Sequence, residues 1–354
     1  MNDKNRYNRQ VILPEIGQKG QKKLTSASVL CIGAGGLGCP ALLYLAGAGV
    51  GHLGIVDFDV VDETNLQRQI LFSTEQIGQN KAEAAKSRLL ALNPEIEILA
   101  YPEELTAKNA QNLLANYDII IDGSDNFATK YLINDAAIKT GKPFIFGSIS
   151  GFNGQISVFN FENGPCYRCL FPAPPKGHVP NCAEAGVIGA VAGMIGTAQA
   201  MEAIKIIVAH KDFTPLAGKF WNIDMLNMEN QLLSLTKNPN CPTCSKNKEE
   251  ISLHYSSPVC AIIPELTKQQ MLDKKQAVLV DVREIDEWEA GHIEGAKHIA
   301  LSDLLDGFEP DLAKNCEIIL YCQTGIRVRQ AAKTLQTLGF SNINNLIGGY
   351  KDWQ

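Results

Sequence analysis

The 354-residue sequence predicts an α/β protein with a mostly parallel sheet, antiparallel additions to that sheet, and a second, smaller α/β domain. Three observations support this prediction. Apolar runs typical of strands alternate with helical patterns from Ser28 onward, the pattern changes after Gly151, and the alternation resumes beyond residue 262. A chain of this length exceeds a typical domain, so it has room for two hydrophobic cores.

The predicted strands are short apolar runs separated by helical segments or turns. Those of the parallel sheet are residues 29–32, 52–56, 96–100, 118–121 and 143–146. Those of the antiparallel additions are residues 155–159, 219–223 and 231–235. Between these groups, residues 172–177 contain three prolines and predict an irregular crossing loop.

A polar stretch without helical or strand periodicity separates the two predicted domains. We place a linker at residues 247–262, which leaves domains at residues 1–246 and 263–354. In the second domain, residues 277–282, 317–321 and 342–347 are predicted strands. A helix is expected over residues 326–338.

Charge and hydropathy exclude several classes of protein. The formal net charge of -6 provides no basic surface, which disfavours nucleic-acid binding. Residues 1–6 lack the apolar core of a signal peptide, so a cytoplasmic protein is expected. The most apolar stretch, residues 185–209, contains Gln199, Glu202 and Lys205. We consider it too polar to span a membrane and expect a buried helix.

A glycine-rich segment follows the first predicted strand and opens a helical run. Its glycines are Gly33, Gly35, Gly36 and Gly38, and such glycines let backbone amides approach a phosphate. Asp57 ends the next strand, where a Rossmann-like fold binds a ribose hydroxyl. By themselves, these residues also fit a dehydrogenase.

The residues that follow favour a triphosphate over a nicotinamide cofactor. Arg68 and Lys81 supply two cations near the amide side chain of Asn65, and such groups neutralise phosphates. Asp125 and Asn126 come soon after a strand. That position would put a carboxylate where Mg²⁺ could bridge phosphate oxygens.

Two Cys-x-x-Cys pairs, Cys166 with Cys169 and Cys241 with Cys244, can together offer four thiolates to one tetrahedral ion. Zn²⁺ is the expected metal. A complete four-thiolate shell leaves no open position, so the predicted role is structural. Two separate redox pairs, or ordinary buried thiols, are the alternatives.

Cys182 lies between the proline-rich loop and the apolar helix. Proximity to a helix N-terminus lowers a thiol pKa and favours the thiolate, which makes Cys182 a candidate nucleophile. A passive thiol is the alternative. The other cysteines outside the motifs, Cys31, Cys39, Cys260 and Cys316, are assigned no function.

A further loop begins at Cys322 and closes at Arg327, between a predicted strand and a predicted helix. Backbone amides of such a loop point inward. Together with the helix N-terminus and Arg327, they would stabilise an anionic sulfur. The loop therefore predicts a site that holds a persulfide on Cys322.

Over residues 4–246, the order of the motifs resembles the ubiquitin-activating-enzyme-like adenylyltransferases of the MoeB/ThiF type. The resemblance implies a ThiF/MoeB fold. It also implies that ATP is attacked at its α-phosphate by the C-terminal Gly-Gly carboxylate of a ubiquitin-like sulfur carrier protein. On the same basis, Asp57 holds the ribose and Asp125 the Mg²⁺. The phosphates are held by Asn65, Arg68 and Lys81.

Two further expectations come from this resemblance. Arg9 would reach the triphosphate of a neighbouring subunit, which implies a homodimer. Cys182 resembles the loop cysteine of the family, which in some members forms a covalent link to the activated carrier and in others is dispensable.

Residues 263–354 resemble the rhodanese family through residues 281–284, 287–288 and 291–296 and the loop that begins at Cys322. Four residues separate Cys322 from Arg327, as in sulfurtransferases, whereas related phosphatases have five. The resemblance implies that Cys322 carries sulfur from a persulfide donor such as a cysteine desulfurase. Asp281 and His292 are expected to brace the fold.

The predicted function is adenylation of a sulfur carrier followed by persulfide transfer to give a thiocarboxylate. It would serve molybdopterin, thiamine or related sulfur biosynthesis, and no residue selects among these pathways. A non-catalytic module that binds the carrier and senses sulfur is the main alternative. An NAD-dependent oxidoreductase is a third hypothesis, which Arg68 and Lys81 disfavour.

Overall fold

The computed structural model describes residues 6–175, 186–253, 263–323 and 326–353. The chain divides into two compact units, an N-terminal unit of residues 1–255 and a C-terminal unit of residues 256–354.

A β-sheet with parallel and antiparallel parts forms the framework of the N-terminal unit. Its strands are β1 (Ser28–Ile32), β2 (His52–Val56), β3 (Glu97–Tyr101), β4 (Ile119–Asp122), β5 (Phe144–Ser150), β6 (Asn153–Phe159), β7 (Lys219–Asp224) and β8 (Glu229–Ser234). In the described residues they are ordered β3-β2-β1-β4-β5-β6-β7-β8. Strands β1 to β5 pair in parallel, and β5 to β8 pair antiparallel. This confirms the predicted parallel sheet with antiparallel additions.

Helices cover both faces of this sheet. They are α1 (Asn8–Val11), α2 (Gly17–Ser26), α3 (Gly38–Ala48), α4 (Lys81–Leu92), α5 (Ala110–Ala115), α6 (Phe127–Thr140), α7 (Tyr167–Leu170) and α8 (Gly189–Val208). Every residue of β4 and all but the first of β1 and β2 are buried. Continuous apolar runs are expected for parallel strands that are covered on both faces.

Helix α8 lies in the apolar stretch that was expected to be too polar for a membrane span. By length and composition alone it is apolar enough to cross a membrane, so its polar residues do not by themselves exclude a span. Half of its most apolar window is nevertheless buried within the protein, as in the core helix of a soluble protein. Its polar Gln199 and Glu202 are buried, and the Gln199 Nε2 donates to the carbonyls of Asp122 and Ile145.

The C-terminal unit is a smaller α/β fold with a parallel sheet. Its strands are β9 (Glu265–Leu266), β10 (Val278–Asp281), β11 (Lys297–His298), β12 (Ile318–Tyr321) and β13 (Ile343–Leu346), ordered β11-β10-β12-β13-β9. Its helices are α9 (Lys268–Asp273), α10 (Ile285–Glu289), α11 (Leu301–Leu305) and α12 (Ile326–Thr337). The edge strands β9 and β11 have two residues each. Two residues are too few to show an alternation of apolar and polar side chains, so the sequence does not predict these strands.

The beginning of the predicted linker packs against the N-terminal unit. A short 3₁₀ turn, Lys248–Glu250, precedes Ile251 and Leu253, and both of these side chains are buried. The Lys139 Nζ on α6 donates to the Ile251 carbonyl at 2.8 Å. Residues 248–253 are therefore part of the folded N-terminal unit.

Candidate functional site

A cavity of about 460 Å³ lies at the C-terminal ends of β1, β2 and β4. Ligands of parallel α/β sheets bind at this edge. The cavity collects most of the residues that the sequence assigns to a nucleotide: Gly33, Gly35, Gly36, Asp57, Arg68, Lys81, Asp125 and Asn126. The folded chain thus brings together motifs that lie almost a hundred residues apart.

The glycine loop between β1 and α3 requires glycine at two positions. Gly33 has a φ of +93°, and a Cβ there would lie 2.7 Å from the Gly123 carbonyl oxygen. Gly38 begins α3, and a Cβ there would lie 1.9 Å from the Gly33 carbonyl oxygen. Because neither position tolerates a side chain, the loop can keep close to β4 and leave its cavity side open to a ligand.

Asp57 fastens this loop to the end of β2. Its Oδ2 accepts the Ala34 amide at 2.8 Å, and its Oδ1 accepts the Asp59 amide at 2.9 Å. Burial raises the pKa of the Asp57 carboxyl, and the hydrogen bonds from these two amides oppose the effect. Each carboxylate oxygen keeps a second lone pair, so Asp57 can still accept a ribose hydroxyl.

The two predicted cations line the same cavity. Lys81 begins α4, and the Asn80 side chain caps this helix by accepting two backbone amides. The Lys81 Nζ lies 3.3 Å from Asp59 Oδ2, and its side chain is almost fully buried. The Arg68 Nη1 donates to the Thr64 carbonyl at 3.1 Å. A cavity with two fixed cations is suited to a polyanion such as a triphosphate.

Asn65 and Arg9 are not among the described residues that line the cavity. Asn65 ends a 3₁₀ turn, and its carbonyl accepts the amides of Arg68 at 3.0 Å and Gln69 at 2.9 Å. Arg9 lies exposed on α1. The roles given to these two residues stay predictions.

The turn after β4 separates two carboxylates with different environments. Asp122 is buried and accepts hydrogen bonds from the amide and the hydroxyl of Ser124. Asp125 is exposed and lines the cavity. The Asn126 Oδ1 caps α6 by accepting the Thr129 amide. Mg²⁺ prefers carboxylate oxygens, so Asp125 fits this ion, whereas Asp122 is already engaged.

Sequence reasoning missed Lys130, which is buried beneath the turn after β4 and also lines the cavity. Its Nζ lies 2.9 Å from Asp122 Oδ2 and donates to the carbonyls of Ser124 and Gly147 at 2.9 and 2.8 Å. These three acceptors match the three protons of an ammonium group. Lys130 therefore holds the turn that carries Asp125.

Replacing Lys130 with methionine is expected to lower the melting temperature by roughly 10 °C. The change leaves the Asp122 carboxylate buried without its cation, which costs about 3–5 kcal/mol. The matched control is Lys22→Met, which removes an exposed lysine on α2. Differential scanning calorimetry checks the result, and equal melting of the two variants would contradict it.

The two Cys-x-x-Cys pairs, which we call the first and second knuckles, bring their four cysteines into one cluster in the N-terminal unit. The Sγ atom of Cys166 lies 3.8 Å from the Sγ of Cys169 and 3.5 Å from the Sγ of Cys241. The Sγ atoms of Cys169 and Cys244 are 3.5 Å apart. All four sulfurs lie within 4.8 Å of one another. A tetrahedral ion with metal–sulfur bonds of about 2.3 Å needs sulfurs about 3.8 Å apart, so the set fits Zn²⁺.

The first knuckle is fixed to α6 by polar contacts. The Tyr167 amide donates to Asn134 Oδ1 at 2.8 Å, and the Arg168 guanidinium binds both carboxylate oxygens of Asp135. The hydrogen bond from Cys166 lowers the pKa of the Cys244 thiol to about 5, whereas the pKa of Cys166 is raised.

A Cys241→Ser variant is expected to lose bound zinc and to melt about 5–10 °C lower than the parent. The reason is that a three-thiolate shell holds the knuckles less tightly. Cys316→Ser is the control, because this thiol lies in the C-terminal unit outside the cluster. Metal content by mass spectrometry and melting curves check the result, and unchanged zinc content in Cys241→Ser would refute the assignment.

Cys182, the predicted second nucleophile, lies outside the described residues. Its proposed role therefore depends on the sequence alone.

Cys322 directly follows β12 in the C-terminal unit, and its side chain is buried. Arg327, at the start of α12, pairs with Glu287 of α10, with its Nη2 2.7 Å from Glu287 Oε1. This pairing lowers the pKa of Glu287 and raises that of Arg327. Glu287 thus holds the guanidinium that closes the cysteine loop.

Arg283 is a buried cation that sequence reasoning did not single out. Its guanidinium binds both carboxylate oxygens of Asp281, donates to the Gly291 carbonyl, and reaches Gln323 Oε1 at 3.2 Å. Because Gln323 follows Cys322, this network connects the end of β10 to the cysteine loop. His292 stacks on Trp288 with ring centroids 3.6 Å apart.

Comparison with known sequences decides the relationship. The sequence profile of the ThiF family matches residues 7–243, more than half of the chain. The chain belongs to the ThiF family. A second profile, that of the rhodanese-like domain, matches residues 265–354. This ThiF-family chain therefore carries a rhodanese-like domain after its adenylyltransferase-like part.

Relatives of this ThiF-family chain share its two-part organisation or its first part. The probable adenylyltransferase/sulfurtransferase MoeZ of Mycobacterium tuberculosis is 41% identical over 366 residues, covering 98% of this chain and 92% of MoeZ. The sulfur carrier protein adenylyltransferase of Thermus thermophilus is 47% identical over 263 residues, covering 73% of this chain and 96% of the relative. Among solved structures, E. coli MccB with MccA-N7isoASN shares the fold, with a TM-score of 0.62 and 22% identity over 70% of this chain and 76% of MccB.

Proposed function

We propose that this ThiF-family enzyme adenylates the C-terminal Gly-Gly carboxylate of a ubiquitin-like sulfur carrier and then converts it to a thiocarboxylate with sulfur carried by Cys322. The observation that carries the proposal is the cavity that gathers the glycine loop, Asp57, Arg68, Lys81 and Asp125. Relatives named as sulfur carrier protein adenylyltransferase and adenylyltransferase/sulfurtransferase support both halves of the reaction.

In the first step, a carboxylate oxygen of the carrier attacks the α-phosphorus of ATP, and pyrophosphate leaves. The glycine-loop amides, Arg68 and Lys81 would bind the phosphates and stabilise the charge that develops on them. Asp57 would hold the ribose. Asp125 would hold Mg²⁺, which neutralises phosphate charge when bound. The product is a mixed anhydride in which AMP is a good leaving group.

In the second step, the terminal sulfur of a persulfide on Cys322 attacks the carrier carbonyl and expels AMP. The product is an acyl disulfide between the carrier and Cys322. A thiolate then attacks the Cys322 sulfur, which releases the carrier as a thiocarboxylate and leaves a disulfide on Cys322. We assign this thiolate to Cys182. An external thiol reductant must then reduce the Cys182–Cys322 disulfide, and a persulfide donor such as a cysteine desulfurase must reload Cys322.

Three finer assignments belong to the same proposal. Zn²⁺ would occupy the four-cysteine cluster as a structural ion. The enzyme would act as a homodimer in which Arg9 completes the neighbouring site, and the exposed Ile12 and Leu13 next to it supply apolar surface for that contact. A reducing cytoplasm would suit its thiol chemistry.

The intact mass of the carrier tests the proposal. Candidate proteins that end in Gly-Gly are incubated with the enzyme, ATP, Mg²⁺, a persulfide donor and a thiol reductant. A gain equal to the difference between sulfur and oxygen establishes thiocarboxylate formation and identifies the carrier, and hence the pathway. An AMP adduct alone would support only the first step, adenylation, and would contradict the proposed sulfur transfer. No change in any carrier, with no carrier-stimulated ATP consumption, would favour a binding module.

A further inference from the structure

A buried amide side chain with an unpaired oxygen lines the nucleotide cavity. Gln69 is 4% exposed, and its Oε1 has no hydrogen-bond partner among the described residues. Two other buried side-chain oxygens of the described residues share this property, those of Gln199 and Asn345. Neither of these two residues lines the cavity, whereas Gln69 does. Because buried polar groups in folded proteins are normally paired, the unpaired amide of Gln69 points to a ligand.

The backbone of Gln69 is held in place on both sides. Its amide donates to the Asn65 carbonyl at 2.9 Å, and its carbonyl accepts the Phe72 amide at 3.1 Å. Gln199 is a contrasting case, because its Nε2 donates to two backbone carbonyls and so serves the fold. The Gln69 side chain is therefore fixed at its base while its amide oxygen stays unpaired.

The amide of Gln69 lies next to the glycine loop. A Cβ added to Gly35 would lie 3.8 Å from the Gln69 Nε2. The following glycine has the next residue of this pair as its neighbour, because a Cβ added to Gly36 would lie 3.7 Å from side-chain carbons of Arg68. Gly35, Gly36, Arg68 and Gln69 all line the cavity. The Gln69 amide is thus placed where the glycine loop would meet a phosphate.

The partners of the glycine loop follow one another in a fixed order. Ala34 donates its amide to Asp57. The next residue of the loop lies by Gln69, and the one after that lies by Arg68. In a nucleotide, the α-phosphate comes directly after the ribose. With the ribose on Asp57, the α-phosphate would therefore lie against Gln69, ahead of the outer phosphates.

We propose that Gln69 is a further catalytic residue of the adenylation step, with its Nε2 donating to an oxygen of the α-phosphate in ATP and in the adenylate. The assignment rests on the proposed function, because it takes the cavity to bind ATP. When the carrier carboxylate attacks the α-phosphorus, negative charge builds on the α-phosphate oxygens, and a fixed N–H donor stabilises that charge. A carboxamide supplies such a donor without a charge of its own.

The test compares Gln69→Met with Gln67→Met in the full chain. Methionine has nearly the shape of glutamine but cannot donate a hydrogen bond. Gln67 is exposed two residues away and is not among the described residues that line the cavity, so Gln67→Met makes the same chemical change outside the site. Dissociation constants of adenosine, AMP and ATP with Mg²⁺ are measured by isothermal titration calorimetry.

AMP and ATP contain the α-phosphate, whereas adenosine does not. Gln69→Met is therefore expected to weaken the binding of both nucleotides by about tenfold and to leave the binding of adenosine within about twofold of the parent. The rate of carrier-dependent ATP–pyrophosphate exchange is expected to fall by about tenfold to a hundredfold. Gln67→Met should match the parent in all of these measurements.

The melting temperature without nucleotide separates this role from a structural one. Replacing an unpaired buried polar group with an apolar group of similar shape is nearly neutral or stabilising. Gln69→Met should therefore melt at the temperature of the parent or above it. A lower melting temperature together with weaker binding of adenosine would show that the amide supports the fold, which would overturn the proposal.

Unchanged affinities for AMP and ATP in Gln69→Met would also overturn the proposal. A loss confined to ATP would do the same, because it would place the contact at the outer phosphates. If Gln69→Met fails to fold, Gln69→Glu keeps the shape of the side chain and puts a carboxylate against the phosphate. The binding of AMP and ATP should then fall by more than about tenfold, and unchanged binding would refute the assignment.

These titrations separate the role of Gln69 from the proposed function, because nucleotide binding needs no carrier. A parent enzyme that binds ATP but forms no adenylate on any carrier would defeat the proposed function, while the affinities for AMP and ATP would still decide the role of Gln69. A parent enzyme that adenylates a carrier, with a Gln69→Met variant that does so at the same rate, would defeat only the role of Gln69.

Discussion

In a Cys322→Ser enzyme, the rate of sulfur transfer is expected to fall by about three orders of magnitude or more. The rate of its carrier-dependent ATP–pyrophosphate exchange is expected to stay near that of the parent. Serine cannot carry a persulfide, so the nucleophile of the second step is missing. The nucleotide cavity is built entirely from the N-terminal unit, and its lining includes no residue of the C-terminal unit among those described. The two half-reactions should therefore separate.

The measurement pairs an isotope exchange assay with the intact mass of the carrier. Cys316→Ser serves as the control, since it makes the same chemical change in the C-terminal unit, at a residue that precedes β12. The carrier is expected to accumulate as its AMP adduct with Cys322→Ser. Loss of exchange together with sulfur transfer would show that the two chemistries are not divided as we propose.

The second large effect is expected for Asp125→Ala, which should lower ATP–pyrophosphate exchange by about a hundredfold to a thousandfold. Without this carboxylate, the metal that neutralises the phosphates would lack its protein ligand, and charge developing in the transition state would be less stabilised. Because Asp125 is exposed and forms no part of the buried Lys130 network, the fold should tolerate the change.

Exchange is measured over a range of Mg²⁺ concentrations. Glu83→Ala, which removes an exposed carboxylate on α4, controls for the loss of one negative charge. A half-saturating Mg²⁺ concentration that rises in Asp125→Ala alone would support the assignment. Near-normal exchange at low Mg²⁺ would remove Asp125 from the metal site.

Local sequence signals were sufficient to predict much of this cavity. Gly33 and Gly38 could be recognised by their spacing, which is typical of a loop where backbone atoms approach closely, and Asp57 comes directly after the next strand. The antiparallel additions were also predictable, since each of β6 to β8 has enough residues to show its pattern. The nucleotide roles of these residues stay predictions until a ligand is measured.

The supporting contacts could not be predicted, because they join residues through the folded chain. Lys130 looks like an ordinary helix residue until α6 packs against the end of β4 and meets the buried Asp122. The pairing of Arg327 with Glu287 spans 40 residues. The sequence gives no sign that the amide of Tyr350 donates to the carbonyl of Cys322. Polar partners of this kind depend on tertiary packing, which no periodicity encodes.

The spacing of the knuckle cysteines has a consequence for the unfolded chain. Seventy-five residues separate Cys166 from Cys241, and the same number separates Cys169 from Cys244. An ion shared by both pairs would close this segment, which includes α8, β7 and β8, into a ring. By the chain-entropy treatment of cross-links, such closure removes roughly 4–5 kcal/mol of conformational freedom from the denatured ensemble. A protein stripped of the ion by a chelator would therefore refold from a denatured ensemble with more conformations.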